Sequence, residues 1–440
     1  MKLIKIMFLF FCVISFRAFG QVASKDTLSL SFLDAIEIGA KENISVNALK
    51  VEESATQNEL SDAKNSVFPK LSASAGYQRF SKVTVYDGIL GESFEITKPP
   101  NANAGNLGVE LFFNLYSGKK QQNAIKATSL KNDLASINTT EHIADIKLQV
   151  AQQYLDMVRL YHLKKITEEQ IVRTQKRFNN INSLYKNGKV TRSDLLRAEL
   201  MLSQVELSDD EAKNDYLISN RKLNVLLNMP ESKVVVPSDT TALEKVDSTA
   251  IKNILEGNST PYAIRKSEKL VNITDIQSKI IRAGNLPSVG LIGGYGLNYP
   301  NNIVFPPMDQ TLRFGFIGAK VSYDISSLYH NRNKIKAADH RIEERKLEQK
   351  YLKENLYEQK QSLYIKYMEA LNRINVTKKS IAQAAANYDI INKKYFNQLA
   401  LLTDLLDADN LYQQSKYDYI KAQIYARTIY YRILYITGQL

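Results

Sequence analysis

Residues 185–199 read YKNGKVTRSDLLRAE and residues 395–409 read YFNQLALLTDLLDAD, so Tyr185, Asn187, Asp194, Leu195, Leu196 and Ala198 recur 210 positions later. Two further matches extend outward in the same order. FPKLSASAGY at 68–77 aligns with LPSVGLIGGY at 286–295 at an offset of 218, and GVELFFNL at 108–115 aligns with GAKVSYDI at 318–325 at 210. Self-similarity at a fixed period means that one supersecondary unit is used more than once. Three ordered matches predict two copies of one unit, at 21–230 and 262–440, joined by a segment at 231–261 that carries Pro237, Pro261 and several Ser, Thr and Asp.

Each copy has the same predicted layout. A helix, about 45–66 or 262–284, ends near a proline and enters a strand of alternating small or polar and apolar residues. Strands are expected at about 70–80 and 106–116 in the first copy and at about 287–297 and 312–325 in the second. The loops between them hold Gly, Pro, Asn and aromatics. Helical hairpins follow, at about 118–229 and 330–437. Between Lys119 and Met229 there is one Gly and no Pro, and Ile143, Ile146, Val150, Tyr154, Val158 and Tyr161 keep three- and four-residue spacing. A helix of about 65 residues is about 100 Å long, more than a globular domain needs. The break falls at Lys186-Asn187-Gly188-Lys189, where Gly supplies a left-handed C-cap and Thr191 or Ser193 an N-cap. In the second copy the turn lies near Asn397 and Gln398.

The N-terminus begins with Lys2 and Lys5 around a run of mostly apolar residues to Phe16, then Ala18-x-Gly20, the pattern of a secretory signal cleaved after Gly20. Cys12 has no small-residue lipobox before it. Cleavage removes Lys2, Lys5 and Arg17, taking the formal charge from +12 to +9, and removes the single Cys, leaving no thiol chemistry and no disulfide. Of the 440 residues, 44% are hydrophobic and 24% charged, which excludes a disordered chain. The mean hydropathy of −0.29 excludes a polytopic helical membrane protein but not a β-barrel, whose strands leave little hydropathy signal. Four strands cannot close a membrane barrel, because an open edge in lipid leaves backbone groups unpaired. The chain is therefore expected to oligomerise, and periodicity does not choose among two, three or four copies.

The order of signal, helix, strand, loop, strand and helical hairpin, repeated, with Phe68-Pro69 before the first strand, Leu115-Tyr116-Ser117-Gly118 after the second and the two hairpin turns quoted above, resembles the TolC-like outer-membrane efflux protein family over about residues 28–438. The resemblance implies a mainly α fold with a membrane β part: a homotrimer whose twelve strands form one barrel, continued by a long α-helical periplasmic barrel. It also implies a passive exit duct for small toxic compounds, set in outer-membrane lipid and working with a periplasmic adaptor and an inner-membrane transporter of the RND or ABC type. No cofactor is implied. At the family's periplasmic entrance, Asp404 and Asp407 look like its paired aspartates, Tyr395 like its closing tyrosine, and Asp194 like the acidic position of the first hairpin. Aspartates at i and i+3 share a helix face, so threefold symmetry would stack two carboxylate rings that attract cations and hold protons by mutual repulsion. The same positions also suit helix N-terminal acids favoured by the macrodipole. The family's gating arginine falls on Ala400. Adaptor docking is expected at the tips, on Asn187, Gly188, Val190 and Thr191 and on Leu399, Ala400, Leu401 and Thr403.

Catalysis finds little footing. His142, His162, His330 and His340 lack metal-ligand spacing, and Gly290, Gly293, Gly294 and Gly296 complete no phosphate-binding motif. Basic stretches such as Lys119-Lys120 read as solvated surface, so nucleic acid is not an expected partner. With 25 Tyr and no Trp, a membrane-interface girdle can be drawn from Tyr77, Phe80, Tyr86, Phe112, Phe113, Tyr295, Tyr299, Phe314, Phe316 and Tyr323. Two other functions fit this layout: the outer-membrane component of a type I secretion system, and a non-conducting exported coiled-coil scaffold.

Overall fold

The computed structural model describes residues 27–81, 83–89, 91–96, 103–239, 248–257, 259–300 and 309–440. The expected export signal at 1–20 lies outside the described residues, as do parts of the two strand-joining loops and of segment 231–261. In chain order the elements are β1 (Thr27–Leu30), α1 (Phe32–Glu42), α2 (Ile44–Asn65), β2 (Lys70–Arg79), β3 (Val83–Tyr86), β4 (Ser93–Ile96), β5 (Asn103–Tyr116), α3 (Lys120–Lys186) and α4 (Arg192–Leu226). There follow β6 (Val234–Pro237), α5 (Ser248–Glu256), α6 (Tyr262–Ala283), β7 (Ser288–Tyr299), β8 (Leu312–Ser322), α7 (Ser327–Phe396) and α8 (Leu402–Thr437). The architecture is mainly helical. α3 and α7 run for 67 and 70 residues, about 100 Å each. Among the described residues no helix is long and apolar enough to cross a membrane.

The chain divides into two compact units. One takes residues up to Ala48 with Thr140–Pro261 and Asn355–Leu440. Its largest core gathers Phe32, Ala35, Val150, Tyr154, Leu155, Val158, Leu223 and Leu227, each fully buried aliphatic side chain contributing about 1.5–3 kcal/mol. The core also seats a small parallel sheet that was not expected from the sequence, β1 beside β6 with Thr27 opposite Val234. Two buried tyrosines satisfy its carbonyls. The Tyr154 hydroxyl donates to Leu30 O at 2.7 Å and the Tyr216 hydroxyl to Val235 O at 2.9 Å. Burial pushes both phenols up to about 12. A second core holds Ile251 against Tyr367, Ala370, Ile429 and Ile433, and α8 stops at Gly438, whose φ of 73° is the left-handed C-cap that glycine adopts at no steric cost.

The other unit, Leu49–Thr139 with Tyr262–Glu354, carries a four-stranded sheet in the order β2-β5-β7-β8, antiparallel throughout. A separate hairpin, β3 with β4, lies in the first strand-joining loop. The return strand β8 ends at Ser322, short of the expected Ile325, because the Asp324 carboxylate accepts from the Ser326 amide at 3.0 Å and turns the chain into α7. The sheet is open. Its outer strands, β2 and β8, have no second neighbour among the described residues.

Register sorts the sheet into two faces. Leu71, Ala73, Ala75 and Tyr77 stand opposite Leu111, Val109, Leu107 and Gly105; these continue through Gly293, Tyr295, Leu297 and Tyr299 to Ile317, Gly315 and Arg313. This face is apolar, and among the described residues its only charges are Arg79 and Arg313, both at the end away from the helices. The opposite face carries Lys70, Ser72, Ser74, Gly76 and Gln78, then Phe112, Glu110, Gly108 and Asn106, then Gly290 to Asn298 in alternate positions, then Lys320, Phe316 and Phe314. The aromatic girdle needs correction on this point. Phe112, Phe314 and Phe316 lie on the polar face, the opposite side from Tyr77, Tyr295 and Tyr299, because strand parity separates them.

Candidate functional site

The two hairpin turns, both in the first unit, hold most of the residues singled out in the sequence. At the first, Gly188 takes φ 70°, its amide donates to Tyr185 O at 2.9 Å and the Lys189 amide to Leu184 O at 2.9 Å. This 6→1 and 5→2 pair is a Schellman closure. Asn187 Nδ2 donates to Ser183 O at 2.8 Å. α4 then starts on a reciprocal cap: the Asp194 amide donates to Thr191 Oγ1 at 3.2 Å while the Thr191 amide and hydroxyl donate to Asp194 Oδ2 at 3.1 and 2.7 Å.

At the second turn Gln398 holds the left-handed position with φ 59°, and the same two bonds form, Gln398 N to Tyr395 O at 2.9 Å and Leu399 N to Lys394 O at 2.8 Å. The N-cap residue of α8, Leu401, has no polar side chain. Only half a capping box remains, with the Leu401 amide donating to Asp404 Oδ2 at 3.1 Å. Asp194 and Asp404 therefore both serve as helix N-terminal acids. Asp407 lies one turn on, with its side chain exposed, and so does Asp404.

Between the turns sits one small core of Ile181, Ala198, Tyr395, Leu402 and Leu405, with Val190, Leu195 and Ala400 packed against it. Of the expected tip residues, Val190 and Ala400 pack in this core with Tyr395, the expected closing tyrosine of the entrance, whereas Leu399 and Leu401 are 75% and 70% exposed. The buried Tyr395 hydroxyl has no hydrogen-bond partner among the described residues. Burial raises its pKa above the usual tyrosine range, the nearby Asp194 charge adds to the rise, and Arg177 opposes it.

Asp409 was missed in the sequence. It is fully buried, and Arg177 Nη2 donates to its Oδ2 at 2.6 Å. Arg173 Nε lies 3.9 Å from Oδ1, and Gln413 Nε2 donates to Oδ1 at 3.2 Å. The pair joins α3 to α8, and so one hairpin to the other. Asp409 stands where the first copy has Glu199 in the quoted alignment, and Arg173 and Arg177 are four apart on α3. An acid matched in both copies and a pair of arginines at helical spacing were the available signals.

Comparison with known proteins sets this geometry in context. Residues 37–229 match the outer membrane efflux protein family. No curated protein matches the chain by sequence. Among solved structures, the outer-membrane channel OprN superposes with a TM-score of 0.77 at 14% identity, covering 93% of this chain and 90% of that one. VceC, an outer membrane protein of Vibrio cholerae, gives 0.75 at 16% identity over 92% and 96%, and the CmeC outer membrane channel of Campylobacter jejuni 0.74 at 15% over 93% and 85%. At these identities the likeness is one of fold.

Proposed function

We propose that this chain, whose residues 37–229 match the outer membrane efflux protein family, is the outer-membrane exit duct of a tripartite efflux system and passes small toxic compounds outward without chemistry of its own. The family match and the shared fold support a channel rather than an enzyme. The observation that carries the duct reading is the two-faced, open-edged sheet. Its apolar face exposes large side chains, Leu71 at 72% and Ile317 at 76%, as lipid contact demands. Strands of 10 to 14 residues are long enough to cross a bilayer when tilted. Because the four strands alternate in direction, β8 of one copy meets β2 of the next antiparallel. Three copies then close twelve strands and leave no unpaired edge in lipid.

In that trimer the apolar face looks out, with Tyr77 and Tyr299 at the loop end and Tyr116 at the helix end as interface anchors. The polar face lines the lumen. The helical hairpins extend into the periplasm, where Asp404 and Asp407 of three copies form the entrance and the tips from Asn187 to Thr191 and from Leu399 to Thr403 receive a periplasmic adaptor coupled to an inner-membrane transporter. The test is extraction and mass. A barrel resists salt and carbonate, needs detergent, and yields a trimer by native mass spectrometry. Release by carbonate would instead identify an exported scaffold.

A further inference from the structure

The two helices that leave the sheet depart from a rule that the other two hairpin helices keep. α4 and α8, which leave the hairpin turns, carry Asp194 and Asp404 in their first turns, where the macrodipole favours acids. α3 and α7 have no acid there. Residues 117–132 hold no Asp or Glu but include Lys119, Lys120 and Lys126, and residues 325–338 hold none but include Arg332, Lys334 and Lys336. Lys126 and Lys336 match at the 210-residue offset, so part of this basic start recurs in both copies. All six side chains are exposed, and none makes an ion pair among the described residues. The nearby acids are already engaged. Asp324 accepts from the amide and the hydroxyl of Ser326, and Asp339 is bound by Arg282 and Asp275 by Lys279, each at 2.7 Å. Glu59 and Asp62, near the end of α2, come with Lys64, while Lys70 and Lys320 on the polar face of the sheet add to the cations. A positive excess remains at this end of the sheet.

The excess lies where the apolar face of the sheet ends. Val321 and Tyr323 lead past the last strand into Ile325, Leu328 and Tyr329, all exposed. At 1.5 Å per residue the six cations stand no more than about 14 Å along α3 or α7 from the sheet, on the order of a Debye length. Resting on the duct reading above, which puts the apolar face in lipid, we infer that Lys119, Lys120, Lys126, Arg332, Lys334 and Lys336 form a collar that binds the headgroups of anionic phospholipids in the leaflet on the helix side. Basic residues beside a membrane-spanning segment are drawn to anionic lipid, each strengthening the interaction about fivefold. The side chains carry the interaction, and lipid phosphate supplies the negative charge that the first turns of α3 and α7 lack. Ile325, Leu328 and Tyr329 meet the same lipids with apolar and aromatic surface.

Native mass spectrometry of the full-length trimer, titrated with phosphatidylglycerol or with phosphatidylcholine of the same chains, tests this. Wild type is expected to hold phosphatidylglycerol about tenfold more tightly, and to lose that preference at high salt. With all six residues replaced by Gln the preference falls to parity. If that variant does not assemble, Lys119→Gln/Lys120→Gln and Lys334→Gln/Lys336→Gln each weaken phosphatidylglycerol binding about fivefold, whereas Lys378→Gln/Lys379→Gln, about 75 Å along α7, leaves it unchanged. Equal affinity of wild type for the two lipids would overturn the collar, as would an undiminished preference in the collar variants or an equal loss in the Lys378/Lys379 variant. Release of the wild-type protein from membranes by carbonate would overturn the duct reading itself, and the collar with it; an integral trimer indifferent to lipid charge would overturn the collar alone.

Discussion

At the first hairpin turn a glycine occupies the left-handed position and Thr191 and Asp194 cap the next helix reciprocally; at the second, Gln398 occupies it and Leu401 brings no capping oxygen. A side chain in the left-handed region costs about 1–2 kcal/mol, and a missing N-cap about 1 kcal/mol. The second turn is therefore the weaker of two copies of one design. What compensates lies below it. Asp409, buried against Arg177, ties α8 to α3, while its counterpart Glu199 is exposed. One hairpin is held by its own turn and the other by its neighbour.

The difference is most exposed to test at the acid pair. Asp409→Ala leaves Arg177 buried without its counter-charge and is expected to lower stability by about 3–5 kcal/mol, read as a fall in the denaturant midpoint. Glu199→Ala should change it by less than about 0.5 kcal/mol. Equal losses would erase the distinction between the hairpins. Next come the left-handed positions. Gly188→Ala should destabilise by about 1–2 kcal/mol, whereas Gln398→Gly should stabilise by up to about 1 kcal/mol, measured by thermal unfolding of matched variants. The caps follow: Thr191→Ala costs about 1 kcal/mol and Leu401→Thr, which completes the box with Asp404, gains about 0.5–1 kcal/mol. Smallest is Tyr395→Phe, which removes an unpartnered buried hydroxyl and should be neutral or stabilising by up to about 1 kcal/mol. A clear loss would show that the hydroxyl finds a partner in the assembled protein.

Tyr395 also sets a pH dependence. Its folded pKa is raised by burial, so the stability that this adds is fully present below the ordinary tyrosine pKa of about 10. It is lost as pH rises through the folded value. Tyr395→Phe should flatten that alkaline limb in pH-resolved unfolding.

How much of this was legible before the structure depends on distance along the chain. The hairpin turn at Gly188 and the helix start at Thr191 are written in five consecutive residues, and the long helices in an apolar spacing with no Pro to interrupt it. Local chemistry reads locally. The β1–β6 pair was not legible, because TLSL and VVVP are four residues each and pair from Thr27 to Val234. Nor was Arg177 with Asp409, which are 232 positions apart. For Phe112, Phe314 and Phe316, strand positions were readable but faces were not. One residue of register flips a side chain to the other face, and β5 carries an irregularity between Asn114 and Tyr116. Asp404 was expected at the entrance from the resemblance, and the structure gives it a helix-capping bond.

The duct with a carboxylate entrance is tested most directly by single-channel conductance of the purified trimer in planar bilayers, with and without added divalent cations, for wild type and for Asp404→Ala/Asp407→Ala. The account predicts a cation-selective pore that divalent ions block from the helical side, with the block lost in the double variant. A sealed or anion-selective wild-type trimer would contradict it, and unchanged block in the variant would leave both aspartates as helix N-terminal residues and nothing more.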